Sequence, residues 1–294
     1  MASPVDLGSQ LTVELPAFLS RTYRFDLLSR RPTSLYTDDE TKDAVLTPLN
    51  KSATRPYVTL TYAQSLDAKI AGPGGKQLAL SGKESLVMTH WLRTLHDAIM
   101  IGIGTALNDD PQLNTRHLPP LPNAISKYHN PRPIILDANL RLSPSCKLLK
   151  NYREGRGRRP WVISTTYSSS MQEYSQRKKE LEDAGARVLE LASEDGMEHG
   201  RFDIPDLLAK LKLFGIRSVM VEGGASVIQS FLAAASGGAS GSQVDVVIVT
   251  IAPTLVGREG VEYGSNVLAG KVSTLHTIET EAFGPDAVIA LRVA

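Results

Sequence analysis

Thiols are almost absent from this 294-residue chain: Cys146 is its single cysteine. One thiol closes no disulfide framework and builds no zinc site from paired thiolates. Excess charge is missing too. Lys and Arg number 32 against 31 Asp and Glu, a net charge of +1, so nothing in the balance points to nucleic acid or an anionic membrane. The one basic run, Arg153, Arg156, Arg158 and Arg159, is interleaved with glycine and reads as a solvated loop. No apolar run approaches the roughly 18 residues of a membrane helix. The N-terminus, with Asp6, Glu14 and intervening prolines, lacks the basic-then-apolar pattern of a signal peptide. His90, His96 and His117 fall in no metal-ligand spacing, and no metal is expected. These absences lead to the expectation of a soluble, cytoplasmic protein.

What is present is a regular alternation from Arg55 onward. Strands are expected at Tyr57–Ala63, Ala98–Ile103, Pro133–Leu136, Pro160–Ser164, Arg187–Leu191, Val219–Val221, Val244–Ile251 and Val288–Val293. Helices are expected at Lys83–Leu95, Ser170–Ala184, Ile204–Phe214 and Ala225–Ala234. Short apolar strands separated by helices argue for an α/β fold, a mostly parallel central sheet with helices on both faces. Ser81, followed three residues later by Glu84, gives a capping-box pattern. Gly185 and Gly215 stand where two helices should end. The Gly/Ser stretch Ala235–Ser242 orders only at high entropic cost and reads as a mobile surface loop. Residues 1–54 are weakly periodic, apart from a short helix at Pro16–Leu28. They read as an extension packed on or trailing from one main domain, 55–294.

The chemistry concentrates between Arg55 and Arg116. A strand leads into Ser65-Leu66-Asp67-Ala68-Lys69, and a second strand ends in Gly102-Ile103-Gly104-Thr105, just before Asp109-Asp110-Pro111. Both strands deliver these groups to one edge of the sheet, where α/β proteins bind ligands. On an extended segment Asp67 and Lys69 face the same way, and a lysine at the end of a core strand calls for an anion. Asp109 is a cleft-facing carboxylate or ordinary turn chemistry. A further strand ends in Glu222-Gly223-Gly224-Ala225-Ser226-Val227. Its glycines either admit a phosphate at a helix N-terminus or make only a tight turn. Neither glycine turn has the spacing of a Rossmann fingerprint. Glu222 either caps the next helix or lines a cleft. Arg116 either grips a phosphate bidentately or is a solvated surface arginine.

Taken together, SLDAKIA (65–71), HWLRTLHDAIMIGIGTALNDDPQLNTR (90–116), RPIILD (132–137) and MVEGGASVIQSFL (220–232) resemble the riboflavin-biosynthesis reductases, of dihydrofolate-reductase-like fold. The four motifs occur in the family's order, and the resemblance covers about 240 residues, from Arg55 to the C-terminus. The bacterial relatives also carry a zinc deaminase with an H-x-E and P-C-x-x-C signature, which a chain with one cysteine cannot hold. The resemblance therefore implies the stand-alone, fungal type of reductase. Its activity would be NADPH-dependent reduction of the ribosyl side chain of 2,5-diamino-6-ribosylamino-4(3H)-pyrimidinone 5′-phosphate, by hydride transfer to C1′ of an imine.

By the same matching, Asp109, Lys69 and Glu222 would be catalytic. Lys69, Ser81, Arg93, Arg116 and Glu222 would hold substrate. Gly104, Thr105, Asp109 and Gly223 to Val227 would contact NADPH, with Ser164 and Thr165 at its 2′-phosphate. The relatives are homodimers. Asn108 stands where the family has alanine, and residues 1–54 have no counterpart. Two rivals remain: a pterin reductase of the dihydrofolate type, and a non-catalytic NADPH-binding sensor.

Overall fold

The computed structural model describes residues 15–23, 54–121, 127–165, 171–191, 201–235, 242–263 and 275–293. Nine strands form one sheet: β1 (Tyr57–Ser65), β2 (Ala98–Gly102), β3 (Arg132–Leu136), β4 (Trp161–Thr165), β5 (Arg187–Leu191), β6 (Ser218–Val221), β7 (Val246–Ala252), β8 (Leu275–Phe283) and β9 (Asp286–Val293). Their order is β5-β4-β3-β2-β6-β1-β7-β9-β8. Strands β1 to β7 are mutually parallel, and β9 runs antiparallel to both β7 and β8. The sheet is mostly parallel, as the alternation of elements predicts.

Helices α1 (Ala17–Tyr23), α2 (Lys83–Thr94), α3 (Ile103–Asp109), α4 (Lys147–Arg153), α5 (Met171–Asp183), α6 (Ile204–Leu213) and α7 (Ala225–Ala235) complete the fold. Successive residues of a strand point to opposite faces, and in β2 they enter two different cores. Ile99 and Ile101 join a core with Leu92, Leu149 and Leu181, whereas Ala98 and Met100 join one with Leu208, Leu211 and Phe231. Helices thus cover both faces, and every residue of β2 is buried. That double burial is why β2 and β3 read as unbroken apolar runs.

Several expectations need correction. The second strand stops at Gly102, and the supposed glycine–threonine loop is the first turn of α3. Helices α3 and α4 have only 7 residues each, too few to show a period. Strand β8 has no apolar run to reveal it, because it is an edge strand with no buried residue. The cap of α2 is Gly82, not Ser81, which is exposed. The Gly82 N–H donates to Asp286 Oδ2 at 2.6 Å, and the Ser85 hydroxyl binds the same oxygen. Asp286 is 2% exposed, and a buried carboxylate must find donors; it takes them from a helix start far off in sequence.

The basic run is not simply solvated. Arg153 donates to Ala184 O, and Arg159 to Gly185 O and Ala186 O, all just past the end of α5. Gly185 (φ 104°) and Gly215 (φ 86°) do end α5 and α6 in the left-handed region.

Helix α1 is tied down by its apolar face and one polar chain. Phe18, Leu19 and Tyr23 are buried. His96 Nδ1 lies 2.9 Å from Leu92 O, which can only accept, so Nδ1 carries the proton. Nε2 then accepts from Thr59 Oγ1 at 3.0 Å, and Thr59 accepts from the Tyr23 hydroxyl at 3.0 Å. The expected continuation of this helix over 24–28, the segment 33–50 and residues 236–241 of the Gly/Ser loop lie outside the described residues. Among the described residues no helix is long and apolar enough to cross a membrane. No cluster among them could hold a metal ion.

Candidate active site

The chain passes from β1 to β2 and leaves between them a place that β6 later fills. Three parallel strands therefore end side by side, at Ser65, Val221 and Gly102. A crevice outside the carboxyl ends of such strands is where an open α/β sheet binds ligands. Here it holds a cavity of about 450 Å³, whose walls include Arg93, Thr105, Asp109, Arg116, Lys147 and Glu222.

Glu222 comes directly after β6, and its N–H donates to Met100 O. Arg93, in the last turn of α2, grips its carboxylate. Nε and Nη2 donate to Oε1 at 3.1 and 3.0 Å, and Nη2 also reaches Oε2 at 2.9 Å. Of the two roles open to Glu222, the structure selects the cleft. The side chains are only 10% and 18% exposed, so neither charge could stay there without the other. Arg93 Nη1 also donates to Asn114 O at 3.0 Å, drawing the 113–117 segment against the helix.

Asp109 ends α3, and Asp110 closes the helix in the left-handed region (φ 40°). Both aspartates line the cavity, but their contacts differ. Asp110 Oδ1 accepts the Lys147 N–H at 2.9 Å and so serves the start of α4. Asp109 turns to the cavity, where burial raises its pKa above the usual aspartate value. Arg116 shares the cavity; burial first, then Arg93, lower its pKa, and Glu222 offsets part of that.

At the far wall α3 and α7 begin against each other. Thr105 Oγ1 donates to Gly223 O at 3.2 Å. A Cβ on Gly224 (φ 91°) would come within 2.7 Å of Thr105 Oγ1, and one on Gly102 within 2.8 Å of Val227. The glycines are thus required by the close crossing itself. The first N–H groups of α7 have no partner within the helix, and no atom lies within 4 Å of where a Gly104 Cβ would stand.

Other expected residues lie elsewhere. Asp67 and Lys69 do not share an extended segment, because Ala68 is left-handed (φ 58°). Asp67 accepts from Ser65, Val256 N and Gly257 N, bonds that bring its pKa down to about 2. Lys69 is buried at the end of β1 with its ammonium on Glu262. Neither Lys69 nor Ser81 is part of the cavity wall. Ser164, at the end of β4, is buried with its hydroxyl 2.6 Å from that of Tyr174, and Thr165 is buried beside it. Lys147, Gln77 and Gln112 also line the cavity without having been expected. Lys147 sits in a helix too short for periodicity to reveal.

Comparison with known proteins then fixes the family. The model of the RibD C-terminal domain matches residues 56–289. The chain belongs to this family. It is 37% identical over 219 residues to the 2,5-diamino-6-ribosylamino-4(3H)-pyrimidinone 5′-phosphate reductase of Debaryomyces hansenii, covering 74% of this chain and 83% of that one. The reductase of the same name from Saccharomyces cerevisiae is 35% identical over 210 residues, covering 70% and 76%. Among solved structures, the S. cerevisiae riboflavin biosynthesis reductase Rib7 superposes with a TM-score of 0.64 at 27% identity. That match covers 94% of this chain and 99% of that one. Acinetobacter baumannii RibD gives 0.64 at 25%, covering 83% of this chain and 59% of its own. The family inferred from the four motifs is the family found.

Proposed function

We propose that this protein reduces the ribosyl side chain of 2,5-diamino-6-ribosylamino-4(3H)-pyrimidinone 5′-phosphate to the ribitylamino product in riboflavin biosynthesis, with NADPH as reductant. One observation carries the reading: a single cavity combines a carboxyl of raised pKa, an arginine-bound carboxylate and a second arginine. A phosphorylated, amino-bearing substrate needs those three groups.

Arg116 suits the 5′-phosphate, since a guanidinium binds phosphate in a fixed fork. Glu222, held still by Arg93, offers carboxylate oxygens to the amino groups of the pyrimidine. Opening the ribosylamine to an imine at C1′ requires a proton to move to the ring oxygen. The imine then becomes a better acceptor once its nitrogen is protonated. Asp109, whose burial favours the protonated form, is the group that holds and returns that proton. Lys69 and Ser81 belong to the substrate side by family matching, with Lys69 released from Glu262 when an anion competes for it.

The first turns of α3 and α7 suit NADPH: a Gly-lined crossing, open space at Gly104 and unpaired N–H groups at the start of α7. Gly104, Thr105, Asp109 and Gly223 to Val227 would hold it. When bound, it supplies hydride to C1′. Ser164 and Thr165 stand for the 2′-phosphate on resemblance, although the Ser164 hydroxyl is engaged by Tyr174. A homodimer in the cytoplasm completes the reading, likewise on resemblance.

Side-by-side turnover tests it. NADPH oxidation with the ribosylamino compound, and none with dihydrofolate, is expected. Reduction of dihydrofolate alone would make the protein a pterin reductase. Tight NADPH binding with no oxidation under either substrate would make it a sensor.

A further inference from the structure

His90 is fully buried on α2, one turn before Arg93, so both side chains share a helix face. Arg93 takes the Asn114 carbonyl, and His90 takes the next contact along the same segment. The Arg116 N–H donates to His90 Nδ1 at 2.9 Å. Nδ1 is therefore an unprotonated acceptor, and the ring hydrogen sits on Nε2, which has no partner among the described residues. His117 packs edge-to-face against the ring, centroids 4.9 Å apart. Burial, with Arg93, His117 and Arg116 nearby, lowers the pKa of His90 to about 3 and so favours the neutral ring.

The segment that His90 holds has no regular structure to hold itself. Leu113 and His117 both adopt positive φ, 55° and 56°, and the described residues 110–121 contain no strand or helix. Its backbone is pinned from outside: Thr115 N by Asn130 Oδ1, Asn114 O by Arg93, and Arg116 N by His90. Only the last of these bonds falls on the residue whose guanidinium lines the cavity.

We propose that His90 is a positioning residue: its neutral imidazole fixes the backbone of Arg116 and so aims that guanidinium at the substrate's phosphate. This inference rests on the assignment of Arg116 to the 5′-phosphate. A buried acceptor for one N–H is worth little in bulk stability. Here it decides where a charged fork points, and misplacement by a fraction of an ångström is costly in a preorganised site.

Steady-state kinetics on His90→Leu, His90→Asn, His90→Gln and Arg116→Ala, with the phosphorylated substrate and its dephosphorylated counterpart, test the proposal. Losing the acceptor frees the Arg116 backbone, so His90→Leu should raise KM for the phosphorylated substrate about tenfold. Turnover number, KM for NADPH and all constants for the dephosphorylated compound should stay within about twofold, well under that tenfold effect. His90→Asn puts an oxygen where Nδ1 was and should restore KM; His90→Gln, whose oxygen reaches the Nε2 position, should not. If His90→Leu does not fold, the Asn and Gln pair carries the same test. Equal loss of turnover on both substrates, or identical behaviour of Asn and Gln, overturns the proposal. If Arg116→Ala raises KM while no His90 variant does, His90 alone has been misread. If Arg116→Ala leaves KM unchanged, the phosphate assignment fails and takes this inference with it.

Discussion

Two arginine–carboxylate pairs stand at opposite ends of β2 and β6. At the amino ends, Asp97 precedes β2 and Arg217 precedes β6; at the carboxyl ends, Arg93 holds Glu222. Both are bidentate and similarly buried, with side chains 15% and 11% exposed in the first and 10% and 18% in the second. The neighbours differ. Asp97 also accepts the backbone N–H of Arg217 at 2.8 Å, and its own N–H binds Ser218 Oγ. That pair is sewn into the backbone on all sides. Among the described residues, the Glu222 carboxylate binds Arg93 alone, and it fronts a cavity shared with Asp109 and Arg116. Burial and fork geometry alone would not separate a staple from a binding group. What lies across from the pair does.

The sharpest way to test that contrast is to remove the carboxyl beside the open pair. Asp109→Ala should lower kcat by about 10²–10⁴-fold, the usual worth of a positioned acid or base, and change KM little. Stability should move the other way. A carboxyl whose pKa is raised on folding binds its proton more tightly in the native state, so its ionisation above pH 3.8 works against the fold. The alanine variant should therefore melt no lower than the parent at neutral pH. In the parent, kcat should fall on the alkaline side as Asp109 loses its proton. A fully active alanine variant would remove Asp109 from the mechanism.

Next in size comes the pair of pairs. Asp97→Asn strands the Arg217 guanidinium and should cost about 3 kcal/mol of stability by chemical denaturation, while turnover per folded molecule stays unchanged. Glu222→Gln should show the reverse weighting: kcat/KM down more than about tenfold, with a smaller loss of stability because the cavity admits water to Arg93. If both variants lose stability and activity in the same proportion, the two pairs do one job and the contrast between them is wrong.

The sequence foreshadowed the open pair better than the closed one. Glu222 stands in a strand–glycine–glycine–helix motif and Arg93 in a helix that a period of 3.6 reveals, so their shared edge could be inferred. Asp97 and Arg217 carry no motif at all. The parallel order of the sheet was legible because doubly buried strands spell continuous apolar runs. The common facing of Asp67 and Lys69 fails for a local reason: one left-handed residue, Ala68, redirects the chain after β1. The cap of α2 was missed for a distant one, since Asp286 reaches it from β9. Short helices such as α4 leave no period to read, and Lys147 was lost with it.

A smaller effect divides along pH. His96 is buried and His129 half-buried near the closed pair, and His90 is buried beside the open one; desolvation lowers their pKa values to about 4, 4 and 3 respectively. The unfolded chain protonates each near 6.5, so between that value and the native pKa the unfolded state binds more protons. Their contribution is complete above pH 6.5 and is lost progressively as pH falls toward 4. Denaturation midpoints should decline over that range by the equivalent of a few kcal/mol in sum, order of magnitude only. His96→Gln should flatten the curve; an unchanged slope would mean that the ring is solvated in the native protein.

The smallest expected effect lies farthest from the cavity. Tyr23→Phe removes the donor that reaches Thr59 from α1, but Thr59 keeps its bond to His96 and no buried donor is stranded. Only an acceptor lone pair goes unfilled, so the loss should be about 1 kcal/mol. Kinetic constants for both substrates should not change. Thr59→Val should cost more, because it leaves both the Tyr23 hydroxyl and His96 Nε2 without a partner. Measured together by chemical denaturation, the two variants order the chain of bonds. If Tyr23→Phe were the costlier of the two, Thr59 would not be the link that ties α1 to His96.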